Sequence, residues 1–160
     1  MFANSLTTLY TALIQPYLTY CITIWGHTYS TYLSKLHLLT KKIVRIIHNA
    51  DFIAHTEELF KRSKMLNIYQ LYKYFVSIFV YKWINRDVPN KFCNYFRRSV
   101  TKIFTNNLQY TFHAKKICEF SIKVTGPKLW NNIPMTIRSL NSLNYFKSKI
   151  KKYLLTCPVV

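Results

Sequence analysis

Apolar residues recur along this chain at intervals of three and four, the period of helices rather than strands. Over residues 3–25, Leu6, Leu9, Tyr10, Leu13 and Ile14 share one side of a first helical piece, and Ser5 is placed to cap it. Pro16 lacks a backbone donor and disfavours helix at Gln15, so a kink or short break is expected there. A second piece then carries Tyr17, Leu18, Cys21, Ile22 and Ile24 and ends at Trp25-Gly26. Uncharged throughout, Leu9–Gly26 reads as a kinked, mostly buried helix.

Ser30–Asn49 has the clearest pattern. Tyr32, Leu36, Leu39, Ile43, Ile46 and Ile47 fall on one face at roughly 100° per residue. Lys35, Lys42 and Arg45 lie on the opposite side, with Lys41 and His48 at its margin, which predicts a core-facing stripe with a basic back. After a connection over Asn49–His55, Thr56 caps a short helix. Glu57 and Glu58 stand in its first turn and Lys61, Arg62 and Lys64 near its end, a charge order that suits the helix dipole. Asn67–Asn85 is apolar almost all round, as befits a helix at the centre of a bundle. Asp87, Pro89 and Asn90 end it, and a short amphipathic piece follows over Lys91–Phe96.

The pattern weakens after residue 98. Val100, Ile103, Phe104, Tyr110 and Phe112 are scattered without sustained period, and Phe120–Val124 suits a short extended segment. Loops with one or two short strands are expected over 99–125. Gly126-Pro127-Lys128-Leu129-Trp130-Asn131-Asn132-Ile133-Pro134 is compact: a proline at the first helical position opens a turn and a second proline ends it. Met135–Leu140 suits another single turn. The last helix starts near Ser142, with Leu143, Phe146, Ile150, Tyr153 and Leu154 inward and Lys147, Lys149, Lys151 and Lys152 over the remainder. The fold predicted is an all-α helical bundle over 1–98, followed by a less regular C-terminal lobe over 99–160.

Composition sharpens this in two ways. Among 160 residues only Gly26 and Gly126 are glycine, which leaves little room for tight hairpins or Gly-rich phosphate loops. The charge is lopsided, with 23 Lys+Arg against 5 Asp+Glu and a net of +18. Such an excess repels itself and calls for a polyanionic partner, either nucleic acid or an anionic membrane surface. Ile, Asn, Lys, Tyr and Phe are also what an AT-rich coding sequence supplies, so part of this composition needs no selection for binding. On the Ser30–Asn49 helix, Lys35, Lys41, Lys42 and Arg45 are the first candidates for phosphate contact, and Lys147, Lys149, Lys151 and Lys152 the second.

Catalytic chemistry finds little purchase. A two-metal polymerase or nuclease site needs closely placed carboxylates. Here the acids are Asp51, Glu57, Glu58, Asp87 and Glu119, and the adjacent pair points about 100° apart on a helix. Cys21, Cys93, Cys118 and Cys157 stand singly, without the spacing of a zinc site, and read as reduced packing residues of an intracellular chain. Neither metal nor cofactor is expected, and the chain is not read as an enzyme. A membrane span is not favoured either. Leu9–Trp25 contains Thr11, Gln15, Pro16, Thr19 and Thr23, and the Asn67–Asn85 helix would bury Lys73 and Lys82 at a cost of about 2.5–3.5 kcal/mol each.

Several words in this chain resemble a known family in order and spacing. Leu9-Tyr10-x-Ala12-Leu13-Ile14-x-Pro16-Tyr17-Leu18-Thr19-Tyr20-Cys21 with Trp25-Gly26 is similar to the segment after the palm in reverse transcriptases of jockey-like non-LTR (LINE-type) retrotransposons. Leu38-Leu39-x-Lys41-Lys42-x-x-Arg45-Ile46-Ile47, Ala54-His55-Thr56-x-x-Leu59-Phe60 and Leu66-Asn67-Ile68 resemble the helices that follow. The Gly126–Pro134 segment and Ser142–Leu154 are similar to the family's C-terminal signature and closing helix. The resemblance implies a thumb-like bundle that grips the backbone of a template–primer duplex beside a reverse transcriptase palm, supplied upstream or in trans. The palm's Tyr-x-Asp-Asp pair has no counterpart here, and between Lys102 and Phe112 the family's His-x-Tyr-x-Thr-Arg-like stretch is not retained. Two other readings fit the same sequence: an inert remnant of a decayed mobile element, and a membrane-associated basic protein.

Overall fold

The computed structural model describes residues 2–98, 107–109 and 121–156, and among these the fold is all-α. Helices α1 (Phe2–Leu9), α2 (Gln15–Thr19), α3 (Ile22–Trp25), α4 (Ser30–Ile47), α5 (Thr56–Arg62), α6 (Ile68–Ile84), α7 (Ile122–Asn131), α8 (Met135–Arg138) and α9 (Leu143–Thr156) follow in order. A π-helical turn, Tyr10–Ile14, joins α1 to α2, and Asn90–Phe92 forms a 3-10 turn. Two compact units result, Met1–Tyr72 with Tyr153–Val160, and Lys73–Lys152. They are drawn differently from a division at residue 98, because α6 gives its first residues to one unit and the rest to the other, and α9 is divided likewise.

In the first unit, Tyr10, Val44, Ile47, Phe60 and Met65 form a buried cluster against which Ala3, Leu6, Leu18, Ile43 and Leu59 pack. At Pro16, where a kink or short break is expected, the chain stays helical through a π turn. The π turn ahead of it, in which the Gln15 N–H reaches the Tyr10 carbonyl, widens the helix where a ring without a donor would otherwise clash with the preceding turn. The chain breaks later, at Tyr20–Cys21, where Cys21 takes a left-handed φ of 51° and the Trp25 indole donates to the freed Tyr20 carbonyl at 2.7 Å. Ser5 lies inside α1 rather than capping it. Nor is Leu9–Gly26 mostly buried. Only Tyr10, Ile22 and Gly26 in it are buried, while Tyr17 is 83% and Ile24 75% exposed.

Helix α4 matches the predicted span, but its buried face is Leu33, Thr40, Val44 and Ile47. The predicted stripe is turned by about one residue, so that Tyr32, Leu39 and Ile46 face outward. Thr40 is tolerated inside because its hydroxyl donates to the His37 carbonyl at 2.8 Å. His55, not Thr56, occupies the N-cap of α5, without a side-chain cap bond, and Thr56 is buried in the first turn. Gly26 ends α3 with an ordinary φ of −71°. Its role is close approach, since a Cβ there would stand 2.6 Å from the Tyr72 ring.

The second unit is built on the later part of α6, where Val76, Val80, Tyr81 and Trp83 are buried. Tyr81 stacks on Phe146 of α9 at 4.3 Å between ring centroids and donates to the Leu140 carbonyl at 2.8 Å. Trp83 meets Phe96 edge-on at 5.3 Å. Helix α7 starts earlier than expected, since Ser121 caps it through the Lys123 N–H. Residues 122–124 are therefore helical rather than extended, and Pro127 lies inside the helix rather than at its first position. A Cβ on buried Gly126 would come within 2.9 Å of the Phe96 ring, so glycine is what lets α7 pack there. The Asn131 amide brackets Leu108, accepting from its N–H and donating to its carbonyl, each at 3.0 Å. Among the described residues the only pairing of strand type is an isolated antiparallel bridge between Arg98 and Leu108. The loops and short strands expected at 99–106 and 110–120 lie outside the described residues.

Candidate nucleic-acid interface

The periodicity of α4 places its cations on the side away from the core. Lys35 and Lys42, seven residues and about 10 Å apart along the axis, are exposed and make no ion pair among the described residues. Lys41 is half-buried, and its charge adds to the burial that holds the His37 imidazole below its ordinary pKa. Arg45 is also half-buried. Its Nε donates to the Ala54 carbonyl at 3.1 Å, and its guanidinium lies 5.8 Å from the centre of the exposed Phe52 ring. Arg45 therefore ties the following loop to α4 as well as bearing charge, a role its sequence position did not signal.

On α9, Phe146, Ile150 and Leu154 are buried, as their spacing predicts. Lys149, Lys151 and Lys152 are exposed and Lys147 half-buried. At about 100° per residue these four spread round the outer side of the helix instead of forming one strip. Lys149 sits over the Tyr145 ring at 5.3 Å. The two groups of lysines belong to different units, and each is a patch in its own right.

Other polar groupings are structural in form. His48 Nε2 contacts Ser63 Oγ, and the Ser63 hydroxyl donates to the Leu59 carbonyl at 2.9 Å. The serine proton is thus committed, so the imidazole donates, and the pair links the end of α4 to the end of α5 rather than arming a nucleophile. Among the described residues, no group of three or more His, Cys, Asp or Glu side chains could hold a metal ion. Cys21 and Cys93, expected as reduced and mostly packing residues, carry free thiols but are exposed, and Cys118 and Cys157 lie outside the described residues. No described helix is long and apolar enough to cross a membrane.

An open depression of about 390 Å³ is lined by Trp83, Arg86, Val88, Cys93, Asn94 and Arg98. Arg98 donates there to the Ile84 carbonyl at 2.9 Å, and the Trp83 indole to the carbonyls of Phe92 and Cys93. These residues come from the end of α6 and the segment after it, and only the return of the chain brings them together. Neither a family model, nor a curated protein, nor a solved structure matches this chain.

Proposed function

We propose that this chain is a non-catalytic nucleic-acid-binding module, the thumb and post-thumb part of an RNA-directed DNA polymerase of the non-LTR retrotransposon type. The observation that carries the reading is the outer side of α4, where Lys35 and Lys42 stand exposed and without carboxylate partners among the described residues, on a chain of net charge +18. Phosphates are the ligand that such a side accommodates at long range and without sequence preference. The resemblance supplies the kind of nucleic acid, a template–primer duplex, and the partner, a reverse transcriptase palm. Lys41 and Arg45 complete the α4 group. Lys147, Lys149, Lys151 and Lys152 form a second one.

Filter binding of a labelled RNA–DNA hybrid across a salt series tests this. If the four α4 cations each neutralise one phosphate, log K falls against log salt with a slope of about −3.6 at the counterion density of duplex DNA. Replacing Lys35 and Lys42 by glutamine lowers the steepness by about 1.8. A flat response sinks the reading.

One observation favours a second reading, a basic protein lying on an anionic membrane. Leu13, Tyr17, Tyr20 and Ile24 are exposed on the uncharged opening segment. Flotation with phosphatidylserine vesicles, retained at high salt, would favour it over the first.

A further inference from the structure

We infer that the outer edge of α4 is a docking strip for one acidic amphipathic helix of another protein, packed as in a coiled coil. Tyr32, Leu36, Leu39, Ile43 and Ile46 are spaced four, three, four and three residues apart, the heptad spacing of a helix–helix seam. Leu36 and Ile43 are half-buried, whereas Tyr32 is 63%, Leu39 54% and Ile46 68% exposed. The seam runs for about 21 Å along the helix, enough for two heptads of a partner. Its inner flank, Leu33, Thr40 and Ile47, is already buried in this chain's own core. Its outer flank carries Lys35 and Lys42, one heptad apart and immediately before Leu36 and Ile43. In coiled coils these flanking positions choose the partner by charge. The helix that fits has Leu or Ile along its seam and Glu or Asp opposite the two lysines.

A second copy of this chain does not fit. Antiparallel pairing on the strip sets Lys35 against Lys42 of the other copy, and parallel pairing turns each lysine toward residues already buried. The chain has five acidic residues, and its one acidic pair on a described helix, Glu57 and Glu58, is adjacent instead of a heptad apart. Nucleic acid would satisfy Lys35 and Lys42 but leave Leu39 and Ile46 uncovered.

The probe is a labelled three-heptad synthetic peptide with Leu on its seam and Glu on both flanks, titrated with the full chain by fluorescence anisotropy. Two controls carry Lys on the flanks, or the same Glu sequence with a central proline that prevents a helix. The Glu helix binds, and both controls bind at least about tenfold more weakly. Exchanging both Leu39 and Ile46 for glutamine weakens the Glu helix by a similar factor, while the circular dichroism and the salt slope of nucleic-acid binding stay unchanged. The inference is overturned if the Glu helix does not bind, if either control binds equally, or if the double variant binds as before. It is also overturned if the double variant loses affinity for the RNA–DNA hybrid, which would give the strip to nucleic acid. A dimer seen by sedimentation and abolished by the same exchange would assign the strip to a second copy and overturn the choice of partner.

Discussion

Asn67 and Gln70 bond each other reciprocally at the start of α6. The Asn67 side-chain oxygen accepts from the Gln70 N–H at 2.9 Å, and the Gln70 side-chain oxygen accepts from the Asn67 N–H at 3.1 Å. This is a capping box built from two amides, and both residues are buried. The Gln70 amide has a second use, donating to the Leu154 carbonyl of α9 at 2.6 Å. Removing Asn67 Oδ1 leaves a buried N–H without a partner. Asn67→Ala should therefore cost about 1–2 kcal/mol, at the upper end for a cap. Urea unfolding of the two proteins measures it, and a difference within about 0.3 kcal/mol would contradict the role given to this box.

Three helices end in the same way. Asn49, Lys64 and Arg86 adopt φ of 48°, 53° and 58° at the ends of α4, α5 and α6. In each case the paired bonds of a Schellman motif are present, such as Met65 N–H to the Phe60 carbonyl at 2.9 Å and Lys64 N–H to the Lys61 carbonyl at 3.0 Å. Glycine suits this conformation best, yet the chain has only two and uses both for close packing. Lys64→Gly and Arg86→Gly should each stabilise the fold by up to about 1 kcal/mol, seen as a raised thermal midpoint. A fall in the midpoint for both would mean that the side chains contribute more than the backbone strain they impose.

The Tyr10 hydroxyl is buried and lacks a hydrogen-bond partner among the described residues, and its burial raises the phenol's pKa. Tyr10→Phe should keep the ring in its cluster with Val44 and Phe60 and remove the cost of an unsatisfied polar group, a gain of about 1 kcal/mol or more. Loss of stability in chemical denaturation would show that the hydroxyl has a function in the fold.

His37 sits edge-on to Tyr69 at 5.2 Å, with a buried Nδ1 that lacks a partner among the described residues. Burial, and then Lys41, lower its pKa in the folded chain. The unfolded chain, with an ordinary value of about 6.5, therefore binds the proton more readily than the folded one. The stability linked to His37 is complete above that value and is lost as pH falls through it toward the lower folded pKa. Comparing the thermal midpoint of the parent with that of His37→Phe from pH 7.5 to pH 5 checks this. The parent should lose more stability over the interval, and equal losses would remove His37 from the account.

Much of the helical skeleton was legible because long periodic stretches have few other solutions. Helices α4, α6 and α9 begin and end within about two residues of expectation. The orientation of α4 was not legible, for a definite reason. Two stripes run along it, one purely apolar through Leu36, Leu39, Ile43 and Ile46, the other through Leu33, His37, Thr40, Val44 and Ile47. Thr40 and His37 disguise the second as polar, yet it faces the core, with the Thr40 hydroxyl satisfied within the helix. The opening segment misled in the opposite sense, since an uncharged run looks buried whether or not anything covers it. Likewise Pro127 marks a helix start only when no cap stands upstream, and Ser121 provides one. Lys35 and Lys42 stand exposed, away from the buried stripe and beside the apolar one, whereas Lys41 and Arg45 are half-buried. The extra duty of Arg45 depends on where Ala54 and Phe52 return in space, which no local pattern encodes.

The hydrogen bond from Gln70 to Leu154 spans 84 positions of chain. Ribosomes deliver residues in order, so this bond cannot close until the stretch from Gln70 through Leu154 has been synthesised. During that interval α6 emerges with Leu71, Tyr72, Val76 and Val80 lacking the covering that their buried positions require. Translation speed downstream of residue 84, and access to a chaperone in that window, should therefore govern how much of this protein a cell recovers folded.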